Sequence, residues 1–476
     1  MWRRLALLAL FRSVFFPEIT LAQDTWAPLS SQAYPAAIQQ YGERTVPRRY
    51  AKASEQQMYA EALREKNDFL AGQLKANAVI QESHVLQRCG TILKRMEKAH
   101  PEFPFRQVQL YVNRSEVPNA SCFGEGTLHL NLGILTQLET DDELALLIGH
   151  ELAHQFLGHV DSSLAQRIAL EHSKDLKKEI RAIRKSSDDR LEQLTALKQR
   201  LAEVQGAYNR QKELEADSLG LVLATAAGYD GEKAAVLLLR LDASDALIGG
   251  AGLYELQKML QPALPDYPFA QKPRYAGLSG VKVNLNANAT LDSLRKSHPD
   301  CQLRYQALRP GPVPSGNYNP LRLLTRVNPE QTRLLKEQVR YLLETGQLSL
   351  AAHYSLLALT HDYDALFFRN FLSTVFARLY AADKNGKRLA AITSYSVPGS
   401  TLQQLQNLLS ALTQEQVAAL SAFFLTPSDK PTEAYALAQL ARAVCIEGQP
   451  YETALQNYKT SFPQPALAYL LAPSGN

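Results

Sequence analysis

The chain has 476 residues, 46% hydrophobic and 21% charged, with 51 basic and 47 acidic side chains and a net charge of +4. That length favours two or three domains with ample core, and the composition excludes disordered and fibrous classes. The near balance of charge argues against nucleic-acid binding, which needs a concentrated basic surface. The N-terminus reads as an export signal over residues 1–22: Trp2-Arg3-Arg4 is basic, Leu5 to Phe11 is apolar, and Thr20-Leu21-Ala22 is a small-residue exit. The expected location is therefore periplasmic or secreted. No later stretch reaches 18 uncharged apolar residues, so an integral membrane protein is not expected. Cys89, Cys122, Cys301 and Cys445 fit either two disulfides or four core thiols.

Residues 23–53 are irregular, with Pro28, Pro35 and Pro47. From Ser54 to about Lys98 the pattern is helical, with Val85, Cys89, Ile92 and Met96 on one face. Arg106 to Val112 and Thr127 to Asn131 alternate as strands, with a loop at Pro118-Asn119 between them. Asp141-Asp142-Glu143 opens a helix expected to run through Leu144 to Val160, its acids facing the positive helix end. No Pro or Gly occurs from Val160 to Gln205, and residues 171–200 hold nine basic and six acidic side chains. A rod or helical hairpin with a narrow seam (Leu194, Leu197, Leu201, Val204, Tyr208) is expected there, its outer face solvated. Residues 262–320 carry nine prolines and read as loop and boundary. Beyond Asn328 the chain is helical, and Gly346 with Ala351 and Ala358 echoes a tetratricopeptide repeat, as does Gly448-Gln-Pro-Tyr451. A non-repetitive helical domain is the alternative.

Chemistry concentrates at His150-Glu151-Leu152-Ala153-His154. Residues four apart share a helical face, so both imidazoles reach one metal, and zinc accepts two such nitrogens with a third protein ligand. Glu151 points beside the metal, as a general base for a water requires. About 0.01 such matches arise by chance in a chain of this composition. The alternative is a pair of ordinary helix-surface histidines. Against it stand Leu144, Leu147, Ile148, Leu152 and Phe156: the helix is apolar, and buried ionisable groups need partners.

Downstream, Glu213-Leu-Glu-Ala-Asp217 opens an otherwise apolar helix, Leu219 to Ala227, ending at Gly228. With it the chain resembles the zinc peptidase family of HtpX, the CAAX prenyl endopeptidases and the periplasmic protease BepA. The resemblance makes Glu213 the third zinc ligand and Asp217 its supporting acid, which the shared helical face would let bond a ligating His. Glu215 competes by chemistry but turns off that face. Asn119-Ala120 with Gly126 to Leu135 is similar to the family's edge strand, where a peptide could add as a strand. His159 matches a recurrent family position and is read as supporting structure, off the ligand face. His129 is read as a strand-surface histidine. Ser297-His298-Pro299 with Arg304 looks like the capping element of the soluble branch, which implies that His298 caps the zinc or assists catalysis. The alternative is a helix-start histidine.

The resulting expectation is a mainly α protein with a small β-sheet. A zinc metallopeptidase domain spans 54–310, with a long helical insertion at 161–212, a linker at 311–327 and a helical C-terminal domain at 328–476. It would act as an exported metalloendopeptidase with one Zn2+ per chain, held by His150, His154 and Glu213. Glu151 is its base, His298 a further catalytic candidate, and Asp217 and Arg304 are the supports. The resemblance implies a polypeptide substrate, a protein partner on the C-terminal helices and peripheral association with the envelope. The competing reading is a chaperone-like or binding protein with an occluded or structural zinc.

Overall fold

The computed structural model describes residues 53–471 except 77, 81–82, 106–107, 123–125, 186–189, 248–252, 270–300, 310–328, 362, 394–399, 430–431 and 464–465. The first helices and strands are α1 (Ala53–Lys75), β1 (Val79–Ile80), α2 (Ser83–Ala99), β2 (Gln109–Asn113), β3 (Ala120–Cys122), β4 (Thr127–Asn131) and α3 (Leu132–Leu135). Then come α4 (Asp141–Phe156), α5 (His159–His172), α6 (Lys174–Lys185), α7 (Arg190–Ala226), α8 (Gly231–Leu247), α9 (Leu253–Leu260) and α10 (Cys301–Leu308). The C-terminal helices are α11 (Pro329–Glu344), α12 (Leu348–Thr360), α13 (Ala365–Lys384), α14 (Arg388–Ile392), α15 (Thr401–Ala411), α16 (Gln414–Phe424), α17 (Glu433–Cys445) and α18 (Tyr451–Ser461). The protein is mainly α with one small mixed sheet. No helix among the described residues is long and apolar enough to cross a membrane.

The sheet runs β1-β2-β4-β3, with β2 and β4 parallel and both outer pairs antiparallel. Leu128 and Leu130 of β4 join Val112, Ile92 and Met96 in a core shared with α4, α7 and α8. Helix α4 is the centre of that core. Thr140 caps it, its side chain accepting the Glu143 amide, while Leu144 through Ile148 are buried all round. Such a helix has no solvent face, so polar residues further along it must be satisfied from neighbours.

Several expected elements are redrawn. The helical pattern at 54–98 divides into α1 and α2 around the short strand β1. Helix α4 stops at Phe156, because Gly158 takes a left-handed φ of 69° and starts α5. Glu213 does not open a helix: α7 begins at Arg190 and passes through Gly206 to Ala226. One interior glycine costs about 1 kcal/mol against alanine, which a 37-residue helix absorbs. Helix α6 lies against α7 as a hairpin, with Ile183 and Leu197 buried and Arg200 paired to Glu179 at 2.6 Å. None of the four cysteines forms a disulfide: Cys89 and Cys301 are buried, Cys122 and Cys445 half-buried.

The C-terminal helices bury a second core around Phe368, Phe371, Phe376 and Phe424, which also takes in Leu260 and Leu264. Left-handed Gly346, Gly386 and Gly448 turn the chain between successive helices, at unequal spacing. Helix α11 joins the two cores. Arg114, just past β2, lies 2.6 Å from Glu337 and 2.8 Å from Glu344, and its guanidinium sits over the Tyr341 ring. Arg340 closes on Glu337 at 2.9 Å, and Gln331 donates to the Leu138 carbonyl at 2.8 Å. These charges are buried and mutually paired, which is the condition under which a protein tolerates them.

Candidate metal centre

Helices α4 and α7 cross at a pair of glycines. A Cβ on Gly149 would lie 2.7 Å from the Gly220 carbonyl oxygen, and one on Gly220 would lie 2.7 Å from the His150 amide nitrogen. Only glycine at both positions lets the backbones approach this closely. The contact sits immediately beside His150 and three residues beyond Asp217, so it sets the gap across which the site is built.

Across that gap, His150 Nε2 and His154 Nε2 are 3.1 Å apart, and they lie 3.6 and 3.4 Å from the two oxygens of Glu213. The three side chains form a group able to hold one metal ion, their donor atoms all within 4.8 Å of one another. Ligands bound tetrahedrally to zinc at about 2.0–2.2 Å stand roughly 3.3–3.6 Å from each other. The donor set therefore fits zinc in both chemistry and spacing.

Behind the donors lies a network of charge. His150 Nδ1 is 2.8 Å from Asp217 Oδ1, which leaves Nε2 as the free donor. Arg304, from α10, donates through Nε and Nη2 to both Asp217 oxygens at 2.7 Å. Its Nη1 is 2.8 Å from Glu213 Oε2, leaving Oε1 on the His154 side. Burial raises the Glu213 carboxyl, but the His154 hydrogen bond and the His150 and Arg304 charges outweigh it and hold it well below the carboxylate range. Asp217 is likewise raised by burial and lowered further by its bonds to Arg304 and His150. Both acids stay ionised, as metal-site carboxylates must.

Glu151 is buried beside the donors, with only 6% of its surface exposed. Burial pushes its carboxyl up, against the pull of His150 and His154, and it accepts the backbone N–H of Cys122. Gln155, one turn on, accepts from the Gly126 amide at 2.7 Å and the Cys122 thiol at 3.3 Å. Strand β3, the terminal strand of the sheet, is thus tied to the helix carrying Glu151.

His150, Glu151, His154, Glu213, Asp217 and Arg304 come together here, whereas His298 lies outside the described residues. Glu215 turns away from the donors and bonds His159 instead, at 3.1 Å. His129 is not on the strand surface: it is fully buried and bonded to Asn113, and burial pushes it down to about 4. Sequence reasoning missed the Gly149–Gly220 crossing and the Cys122 amide. The glycines left a trace, since glycine inside a helix is costly and invites the question of what it makes room for.

Residues 83–310 match Peptidase family M48. Over 122 residues the chain is 28% identical to the mitochondrial metalloendopeptidase OMA1 of Arabidopsis thaliana, covering 26% of this chain and 23% of that protein. Over 143 residues it is 31% identical to the mitochondrial metalloendopeptidase OMA1 of Schizosaccharomyces pombe, covering 30% of this chain and 40% of that protein. The matched regions thus make up less than half of either relative. No solved structure matches the chain. The comparisons and the donor set agree on one class: residues 83–310 are similar to zinc metallopeptidases.

Proposed function

We propose that the protein is a zinc-dependent metalloendopeptidase in which His150, His154 and Glu213 hold the metal. The observation that carries this is the donor group itself: the two His Nε2 atoms are 3.1 Å apart, the two Glu213 oxygens lie 3.4 and 3.6 Å from them, and Glu151 is buried at its side. Bound zinc would supply Lewis acidity at the scissile carbonyl and lower the pKa of a water. Glu151 takes the proton of the attacking water on a carboxylate oxygen. When the C–N bond breaks, it delivers that proton to the leaving amine nitrogen. The Cys122 amide holds the carboxylate in place during the exchange. Strand β3 ends the sheet next to this base, so an extended polypeptide adding along it would present its backbone to Glu151.

The finer assignments rest on the sequence. We place the protein outside the cytosol on its N-terminal pattern, with misfolded or envelope polypeptides as substrates and a partner on the C-terminal helices. His298 is assigned as a cap or an aid to catalysis, and His298→Ala should change the rate of hydrolysis while zinc remains bound. The primary test is Glu151→Gln, which should retain one zinc per chain yet lose casein hydrolysis by at least 100-fold. Wild-type hydrolysis in that variant removes Glu151 as the base.

A further inference from the structure

His159 stands five residues beyond His154. On a continuous helix that offset is about 140° around the axis, and the two rings would not meet. The left-handed turn at Gly158 ends α4 and swings His159 back, so that its Nδ1 lies 3.0 Å from His154 Nδ1. The rings stand edge to face, with centroids 5.1 Å apart.

Two imidazole nitrogens at this distance must share one proton, a donor N–H facing a lone pair. His154 Nε2 faces His150 and Glu213, so a metal there requires its lone pair and places the proton on Nδ1. His154 then donates to His159 Nδ1. The remaining His159 proton falls on Nε2, which is 3.1 Å from Glu215 Oε2. One tautomer for each ring thus satisfies every contact. The anchors are themselves held: Gln211 donates to Glu215 Oε1 at 2.7 Å, and Lys212 donates to the His159 carbonyl at 2.9 Å and to Ser163 Oγ at 2.6 Å.

From this geometry, and resting on the metallopeptidase reading above, we infer that His159 and Glu215 are positioning residues that set the tautomer and ring angle of the ligand His154. Helix α7 thereby serves the centre three times. Glu213 faces the metal position, Asp217 orients His150, and Glu215 orients His154 through His159. The two ligand rings are held unequally: His150 by a buried carboxylate clamped by Arg304, His154 by a neutral ring whose anchor is 46% exposed on its side chain.

The test measures zinc affinity of the full chain by competition with a chromophoric chelator, alongside the visible spectrum of the Co2+-substituted protein. His159→Ala should weaken zinc binding roughly 10–100-fold, the usual cost of losing an outer partner of a metal ligand, and alter the cobalt bands. Glu215→Ala should act in the same direction. The double variant should be no weaker than His159→Ala, because Glu215 acts only through His159. His159→Asn, which retains an acceptor for His154 and a donor for Glu215, should recover most of the affinity. Since Glu215 is exposed, its removal should leave the metal-free melting temperature unchanged, which separates positioning from folding. Wild-type affinity and spectrum in His159→Ala and Glu215→Ala, with zinc lost in His150→Ala, would overturn the positioning role and leave the metal site standing. A wild-type chain that binds no zinc would instead defeat the metallopeptidase reading itself.

Discussion

Gly220→Ala isolates the crossing of α4 and α7. The new Cβ would sit 2.7 Å from the His150 amide nitrogen, 2.9 Å from its Cα and 3.0 Å from the Gly149 carbonyl carbon. All three are backbone atoms, so no rotamer change relieves the overlap. Non-bonded contacts are comfortable at about 3.5 Å or more, so the helices must part by about 0.8 Å. Helix propensity favours alanine by about 1 kcal/mol, and over-packing costs about 1–3 kcal/mol, so the net effect is destabilising. The larger effect falls on the metal. Glu213 lies on α7 and both histidines on α4, so the 3.4 and 3.6 Å separations open directly with the helices. Spread to about 4.2 Å or more, they exceed the roughly 3.3–3.6 Å that tetrahedral zinc requires. The assay is zinc affinity with metal-free thermal melting, using Gly90→Ala as control. Gly90 lies in α2, and a methyl group added there would meet nothing within 4 Å, so alanine should stabilise by up to about 1 kcal/mol. Wild-type zinc affinity in Gly220→Ala would refute the argument.

Three further perturbations reach other parts of the molecule. Asp217→Asn keeps the shape behind His150 but removes the charge shared with Arg304, and zinc affinity by chelator competition should fall roughly 10–100-fold. His129 is neutral when folded, with burial pushing it down to about 4, so the unfolded chain takes up a proton first as pH falls. Metal-free stability should therefore decline by roughly 3 kcal/mol between about pH 6.5 and 4, and His129→Gln should remove that share in denaturant titrations. Arg114→Ala leaves buried Glu337 with Arg340 as its remaining ion-pair partner among the described residues; a loss of about 3–5 kcal/mol is expected, read as early unfolding of the C-terminal helices by hydrogen exchange.

The donor residues were legible because their spacing is local. His150 and His154 are one turn apart, as are Glu213 and Asp217, and periodicity alone puts each pair on a face. The family resemblance supplied the link between the two helices and pointed to Arg304. What Arg304 touches was not legible, since Asp217 lies 87 residues away on another helix. His159 was read as support off the ligand face, but its bond to His154 was not legible, because it depends on the left-handed turn at Gly158 rather than on helical periodicity. The docking of α11 was hidden for a related reason. Arg114 and Glu337 look like surface charges until the two cores close over them. Local periodicity survives in a sequence, whereas pairings made by chain crossings do not.

The length of α7 has a mechanical consequence. At 1.5 Å per residue its 37 residues form a rod about 55 Å long. Its first half lies in the hairpin with α6, and its second half carries Glu213, Glu215 and Asp217. Measured from Gly220, where α7 meets α4 near its inner end, the arm to Arg190 is about 45 Å. Tilting the rod by 1° about that point moves the outer tip by about 0.8 Å, yet moves Glu213 by only about 0.2 Å. A displacement at the outer end of the rod would thus be geared down several-fold before it reached Glu213, Glu215 and Asp217.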